Sequence, residues 1–152
     1  MPDPYREIEN LLYIYADKLD RGDLEGVAEL FRYGAIVAPA VNHRAEGREQ
    51  VLARYQGSTR IYADTGTPKT QHVISNAVVT VNDTTATCDS RFTVFQATDD
   101  LPLQAIITGR YHDQFIYRDD SWWFLQRSMM PEMFGDLSHH LLFDAGDIQR
   151  EE

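Results

Sequence analysis

Residues 103–130 read LQAIITGRYHDQFIYRDDSWWFLQRSMM, two long β-branched and aromatic runs separated by Asp119-Asp120. Such residues favour strands and the acidic pair favours a turn, so this segment predicts an antiparallel hairpin. β-Branched and aromatic residues are frequent from His72 onward, and two further turn signals, at Asn82-Asp83 and Asp99-Asp100, divide this part of the chain. We therefore predict four strands, over residues 72–81, 85–97, 103–118 and 122–130.

The first half of the chain has the spacing of helices. An apolar stripe predicts a helix over residues 4–20, which Gly22 ends. Asp23 then caps a short second helix that runs to Phe31. Further on, the sequence predicts a short strand at residues 35–38, a loop around residues 42–43 and a third helix at residues 47–55. Pro131 is predicted to end the sheet, and residues 136–142 to form a short C-terminal turn or helix.

Helices that come first and hairpins that come later indicate an α+β fold. Strands of ten residues or more usually bend through bulges, so we expect N-terminal helices packed on a strongly curved, mostly antiparallel sheet, a cone-shaped α+β barrel. Residues 1–143 are predicted to form this single domain, and residues 144–152 a polar tail. The interior of such a cone is filled by side chains or by a ligand.

Composition excludes several classes of function. The 24 acidic and 14 basic residues give a formal charge of −10, which opposes binding to nucleic acid. Charged residues interrupt the first twenty positions, and no uncharged run approaches a membrane span of ~20 residues, so we expect a soluble cytoplasmic protein. With one cysteine, Cys88, and two adjacent histidines that would point in different directions, His139 and His140, we predict no metal and no cofactor.

Four segments carry a resemblance to a known family. They are IENLLYIYADKLDRGD, TQHVISN, GRYHD and GDLSHHL, which begin at residues 8, 70, 109 and 135. At these intervals they resemble SnoaL-like proteins of the nuclear transport factor 2-like superfamily. The resemblance implies the cone-shaped barrel, commonly as a homodimer packed through the sheet. It implies much less about activity, because this superfamily includes enzymes, binding modules and scaffolds.

Three enzyme groups of that superfamily suggest a catalytic pair. Scytalone dehydratase, bile-acid 7α-dehydratase and hexachlorocyclohexane dehydrochlorinase use a pocket aspartate near the end of the first helix and a histidine early in the sheet, without a metal. The resemblance places Asp20 and His72 at those positions, and Tyr15 at that of a tyrosine in the bile-acid enzyme. The tyrosine that precedes the aspartate in scytalone dehydratase is Leu19 here, and its second histidine and the dehydrochlorinase's lysine have no counterpart.

Chemistry supports the pair independently. A neutral imidazole is a suitable base near pH 7, and a carboxylate on its other nitrogen would fix the tautomer and stabilise the imidazolium. Asp20 also breaks a local rule, because an acid in the last turn faces the negative end of the helix dipole. The alternatives are a solvated or capping Asp20 and a structural His72.

The remaining candidates are tyrosines and other large side chains. In an undistorted helix, Tyr13 lies about 20° from the direction of Asp20 and Tyr15 about 140° away, so Tyr13 competes for the role of phenol donor. We predict substrate contacts from Tyr111, Trp123 and Met129 as well, although core packing would explain them equally.

Side chains alternate between the two faces along the predicted strand of residues 103–118. Arg110 and His112 are therefore expected on the face opposite to Tyr111. Asp113 is then inward and needs a partner, either Arg91 or Arg127.

The sequence thus predicts a cofactor-independent lyase or isomerase, of the dehydratase or cyclase kind, acting on a hydrophobic cyclic carbonyl compound such as a steroid-like or polyketide-like molecule. The catalytic residues would be Asp20, His72 and Tyr15. The alternatives are a small-ligand-binding or assembly module without chemistry, and the small subunit of a ring-hydroxylating dioxygenase.

Overall fold

The computed structural model describes residues 2–143. Three helices and one 3₁₀ turn occupy mainly the first half, namely α1 Pro4–Asp20, α2 Leu24–Glu29, the turn Pro39–Val41 and α3 Gly47–Ser58. Six strands form one sheet, namely β1 Ala35–Ala38, β2 His43–Glu46, β3 Thr70–Asn82, β4 Thr85–Thr98, β5 Leu101–Arg118 and β6 Ser121–Phe134. The strand order is β2-β1-β6-β5-β4-β3, and of these neighbours only β1 and β6 run parallel.

Capping residues set the bounds of the first two helices. The Asp3 side chain accepts the backbone N–H of Tyr5 at 3.0 Å, and the Asp23 side chain accepts that of Gly26 at 2.9 Å. Between the helices, Gly22 takes a φ of +78°, which a residue with a side chain rarely adopts. The predicted first helix is confirmed at both ends, whereas the second ends at Glu29 rather than Phe31.

The sheet curves because its long strands are irregular. The pairing register shifts between Ser75 and Val78 in β3, and again opposite Gly109 and Phe115 in β5. Such bulges bend and twist a strand, as expected for runs of this length. Helix α1 packs against β3 and buries its apolar stripe there, so the helices close the concave side of the sheet. The predicted α+β architecture is confirmed.

Two predictions about the sheet were wrong. The predicted loop around residues 42–43 contains the start of β2, which pairs with β1 after Asn42 adopts a left-handed conformation. Pro131 does not end the sheet, because β6 continues to Phe134. Pro131 lies where the β5–β6 register shifts, and a proline is tolerated at a bulge because no ladder hydrogen bond is needed there.

The C-terminal segment forms hydrogen-bonded turns, in which the backbone N–H of His140 donates to the carbonyl of Leu137. The predicted polar tail, residues 144–152, lies outside the described residues. Within residues 2–143, no helix is long and apolar enough to cross a membrane.

Gly109 provides a test of this packing. A Cβ at residue 109 would lie 2.5 Å from the carbonyl oxygen of Met130 and 2.6 Å from the ring of Phe92. We expect Gly109→Ala to lower the free energy of unfolding by about 1–3 kcal/mol, because the sheet must shift to accept the methyl group. Urea denaturation would measure the change.

The matched control is Gly57→Ala in α3, where a Cβ has nothing within 4 Å. That variant is expected to be unchanged or more stable by up to about 1 kcal/mol, because alanine favours a helix. Equal stability of Gly109→Ala and the wild type would contradict the close approach of β5 and β6.

Candidate active site

Asp20 and His72 are in direct contact. Asp20 Oδ1 lies 2.6 Å from Nδ1 of His72, and the backbone N–H of His72 donates to Oδ2 at 2.8 Å. The hydroxyl of Thr70 donates to Oδ1 at 2.9 Å. Both side chains are largely shielded from solvent, with 6% of His72 and 19% of Asp20 exposed. Two hydrogen bonds thus join Asp20 to His72, and a third, from Thr70, holds the carboxylate in place.

The fold brings these two residues together at the start of the sheet. Asp20 is the last residue of α1, and His72 is the third residue of β3, against which α1 packs. Gly22 lies so close to the loop before β3 that a Cβ there would be 2.1 Å from the carbonyl oxygen of Gly66. This close approach at the helix end positions the Asp20 carboxylate over the first residues of β3.

The geometry defines the chemistry that the pair can perform. A neutral His72 that donates its Nδ1–H to Asp20 keeps Nε2 unprotonated, which is the form of a general base. Asp20 sits at the negative end of the α1 dipole, an unfavourable place for an anion, and three donors compensate for it. Asp20 is therefore neither simply solvated nor a cap of α2, whose first turn is capped by Asp23.

His140 lies beside the pair, a position that the sequence reasoning missed. Its ring centroid is 6.5 Å from that of His72, in an edge-to-face arrangement. Only 8% of His140 is exposed, and burial lowers its pKa to about 4, helped by the nearby His72. Its Nδ1 is buried without a hydrogen-bond partner among the described residues. The sequence places His140 in the GDLSHHL segment and argues against a metal shared with His139, but its neighbours in the chain give no sign of the contact with β3.

Aromatic side chains fill the interior of the cone. The buried ring of Tyr15 makes edge contacts with Phe31, Tyr55 and Tyr111, and its hydroxyl hydrogen-bonds to that of Tyr55. Burial raises the pKa of both Tyr55 and Tyr111 well above the ordinary value, so these phenols stay protonated near pH 7. Tyr111 stacks on Phe92 at 4.5 Å. The interior therefore combines apolar rings with protonated phenol groups.

An ion pair is buried among these rings. Arg127 donates from Nε and Nη2 to the two carboxylate oxygens of Asp113, at 2.8 and 2.9 Å, and both side chains are fully buried. The predicted partner of Asp113 is confirmed as Arg127, whereas Arg91 lies near Glu132. Burial raises the pKa of Asp113 against the lowering effect of Arg127. Burial would lower the pKa of Arg127, but attraction to Asp113 outweighs it and raises that pKa.

The other predicted site residues divide between the interior and the exterior. Tyr111 and Met129 face the interior and are paired across β5 and β6. Tyr13 does not face it: 47% of this residue is exposed, because α1 buries the face that carries Tyr15. Trp123 does not face it either, since the ring packs against Tyr33 and the indole N–H donates to the carbonyl of Arg118, whereas neighbouring Trp122 is buried.

Two surface depressions are found elsewhere on the molecule. One, of about 500 Å³, lies beside Tyr13 and Lys18 on the outer side of α1. The other, of about 460 Å³, lies between Arg60 and the C-terminal segment that includes Leu141. Neither is lined by Asp20 or His72. Within residues 2–143, no group of three or more His, Cys, Asp or Glu side chains is arranged to hold a metal ion.

Comparison with solved structures identifies the fold. A candidate scytalone dehydratase from Novosphingobium aromaticivorans is 27% identical, over 87% of this chain and 86% of that chain, with a TM-score of 0.69. An NTF2-like protein with a cystatin-like fold from the same organism is 21% identical, over 97% and 87% of the two chains, with a TM-score of 0.71.

A third similar structure is the beta subunit of a candidate aromatic-ring-hydroxylating dioxygenase, also from Novosphingobium aromaticivorans. It is 19% identical, over 85% of this chain and 89% of that chain, with a TM-score of 0.66. At 21% and 19% identity, the last two likenesses concern the fold alone.

Sequence comparison identifies the family. No curated protein matches the chain. The model of the SnoaL-like domain matches residues 3–128, which include both members of the Asp20–His72 pair and both members of the Asp113–Arg127 pair. Because that match extends from α1 into β6, and because the fold is NTF2-like, the chain belongs to the SnoaL-like domain family.

Proposed function

We propose that this protein is a cofactor-independent lyase or isomerase that acts on a hydrophobic cyclic carbonyl compound. The observation that supports the proposal is the 2.6 Å contact between Asp20 Oδ1 and His72 Nδ1. A carboxylate on one imidazole nitrogen leaves the other as a base at neutral pH. The 27% identity to the candidate scytalone dehydratase is consistent with elimination chemistry.

In the proposed reaction, Nε2 of His72 removes a proton from the carbon next to the substrate carbonyl. Asp20 keeps the imidazole in the reactive tautomer and stabilises the imidazolium that forms. The electron pair of the broken C–H bond moves to the carbonyl oxygen and forms an enolate. Return of the proton from the imidazolium to another carbon gives an isomer. Where the next carbon carries a hydroxyl group, the enolate collapses to the carbonyl, a carbon–carbon double bond forms and the C–O bond breaks. The departing oxygen takes the imidazolium proton and leaves as water, which returns His72 to its neutral form.

An enolate needs a hydrogen-bond donor, and Tyr15 with its partner Tyr55 supports that role. Burial keeps Tyr55 protonated by raising its pKa, so the phenol pair retains a proton to donate. Tyr111 and Met129 would contact the apolar part of the substrate, since both belong to the interior packing. Tyr13 and Trp123, which face away, have no part in this proposal.

A second candidate function is that of a binding or assembly module without chemistry. The close packing of Phe31, Phe92, Phe115 and Phe124 with Tyr15 favours it, because these rings occupy the interior where a substrate would lie. The likeness to a dioxygenase beta subunit makes association with a large subunit one form of this candidate. Co-purification of the two subunits would support it.

We also propose that the chain forms a homodimer through the outer face of its sheet. On that face, Glu132 lies 3.2 Å from Arg110 and 3.5 Å from Arg91. A second sheet would cover these ion pairs. Light scattering of the purified chain would measure the mass. A monomer at the concentrations of the assay would contradict this assembly.

Deuterium exchange tests the proposed chemistry. In D2O, the wild-type protein is expected to exchange the protons next to the carbonyl of a hydrophobic cyclic ketone such as 2-tetralone, and proton NMR would follow the loss of signal. We expect Asp20→Asn to slow this exchange about 10–100-fold, because His72 loses a hydrogen bond to a charged partner.

The control is Asp23→Asn, which changes the neighbouring carboxylate at the cap of α2 and leaves the pair intact. Its exchange rate should stay close to that of the wild type, since asparagine also caps helices. Exchange that is equally fast with Asp20→Asn, or absent from the wild type across a panel of such ketones, would contradict the proposed function.

A further inference from the structure

The turn that carries His140 is firmly attached to the body of the domain. The backbone N–H of Arg60 donates to the carbonyl of His140 at 2.8 Å, and the Tyr62 hydroxyl donates to the carbonyl of His139. Leu141 forms a bridge with Thr59. These bonds fix the place of the His140 ring beside His72, so its position is a defined feature of the fold.

Two buried polar atoms of this region have no partner within residues 2–143. They are Nδ1 of His140 and Oε1 of Gln96. The orientation of the Gln96 amide follows from its other end, because Nε2 donates to the carbonyls of Pro68 and His139, at 3.0 and 3.1 Å. Two carbonyl acceptors require the NH₂ group there, which leaves Oε1 as an acceptor without a donor.

Buried polar atoms without partners are rare in folded proteins, and each one needs a reason. Gln96 supplies an acceptor, Oε1, and the neutral imidazole of His140 can supply an N–H donor. The imidazole of His140 is neutral because only 8% of the residue is exposed. Burial and the neighbouring imidazole of His72 lower its pKa, and the weaker opposing effect of the Asp20 carboxylate does not offset them. Gln96 lies beside the same pair, because it is opposite Thr70, two residues from His72, and its amide bonds the residue before His140. A donor and an acceptor together match a hydroxyl group, which accepts one hydrogen bond and donates another.

We propose that His140 and Gln96 bind a hydroxyl group of a hydrophobic ligand, beside the imidazole of His72. Nδ1–H of His140 donates to the hydroxyl oxygen, and the hydroxyl donates to Oε1 of Gln96. The ligand class is therefore an apolar ring compound that carries a hydroxyl group. This proposal deepens the proposed function and rests on it where reaction is concerned: a hydroxyl held beside the base identifies the substrate as a hydroxylated carbonyl compound and favours dehydration.

A pair of simple probes tests this site on the whole 152-residue chain. 2-Indanol has a hydroxyl group, whereas its methyl ether, 2-methoxyindane, can only accept a hydrogen bond. We expect 2-indanol to bind about tenfold more tightly, as one hydrogen bond allows. In protein labelled with ¹⁵N-histidine, 2-indanol should shift the ring nitrogens of His140 and His72, and should leave those of the outer His112 unchanged.

Variants then assign the preference to His140. His140→Phe keeps a ring of similar size and should reduce the preference for 2-indanol to less than twofold, while His140→Gln restores part of it through its amide N–H. The matched control is His112→Phe, which removes a ring that pairs with Asp89 on the outer face and should keep the full preference.

Equal binding of the two probes, no binding of either, or binding that leaves the His140 nitrogens unshifted would overturn the proposal, because the two atoms would then hold a buried water or nothing. The wild-type measurement is decisive even if His140→Phe does not fold. Binding of 2-indanol at His140 without any exchange of ketone protons would refute the lyase and leave the ligand site intact. Exchange of ketone protons without binding of 2-indanol at His140 would refute the ligand site alone.

Discussion

Arg127→Met should lower the free energy of unfolding by about 3–5 kcal/mol, measured by urea denaturation. The substitution leaves the carboxylate of Asp113 fully buried without its two hydrogen bonds. The guanidinium carbon also lies 3.6 Å from the ring centre of Tyr111 and 4.3 Å from that of Tyr15, so contacts with both rings change as well. Domains are typically stable by only about 5–15 kcal/mol, so this loss is a large fraction of the total.

A double-mutant cycle separates the pair from the packing. Asp113→Leu alone should cost a similar amount, because it leaves an uncompensated guanidinium whose Nη1 already has no hydrogen-bond partner among residues 2–143. The double variant, Asp113→Leu with Arg127→Met, should recover most of the loss, since two apolar side chains need no partner. Additive losses in the double variant would contradict a strongly coupled pair.

An exposed ion pair of α1 provides the control for this cycle. Arg21 lies 3.0 Å from Asp17, and both side chains are more than half exposed. Arg21→Met should therefore change the free energy of unfolding by no more than about 1 kcal/mol, as is usual for a solvated ion pair. A loss as large as that of Arg127→Met would mean that burial does not explain the difference.

His72→Ala is expected to reduce the rate of proton exchange of a confirmed ketone substrate by about 10²–10⁴-fold, the usual contribution of a general base. The variant removes the only nitrogen proposed to accept the substrate proton, whereas Asp20→Asn merely disturbs its orientation. The effect on His72→Ala should accordingly be the larger of the two. Initial rates of deuterium incorporation, measured by proton NMR, would give both values.

Two further measurements test whether the slower exchange is specific to His72, namely rescue of His72→Ala by imidazole and a control substitution of another histidine. Added imidazole should restore part of the exchange by occupying the space left by the His72 ring. His112→Ala also removes a histidine that pairs with an aspartate, Asp89, but on the exposed outer face, and it should leave the rate unchanged. If His72→Ala kept the exchange rate within a few-fold of the wild type, another residue would be the base.

Local sequence signals predicted most of the secondary structure, because they act over a few residues. Asp23 caps α2, as predicted, and the acidic turn at Asp119-Asp120 joins β5 to β6. The errors have a tertiary origin. β2 has little strand character of its own and exists because it pairs with β1, and Pro131 stays in the sheet because a bulge removes the need for its N–H.

The sequence by itself determined the order of helices and strands, the alternation that turns Asp113 inward, and the family positions of Asp20 and His72. Periodicity and resemblance contain that information because both are properties of neighbouring residues or of matched positions. The tertiary structure alone decided that Tyr15 rather than Tyr13 faces the interior, that aromatic rings occupy that interior, and that His140 lies beside His72. These are contacts between residues far apart in the chain, and packing selects them only when the helices close over the sheet.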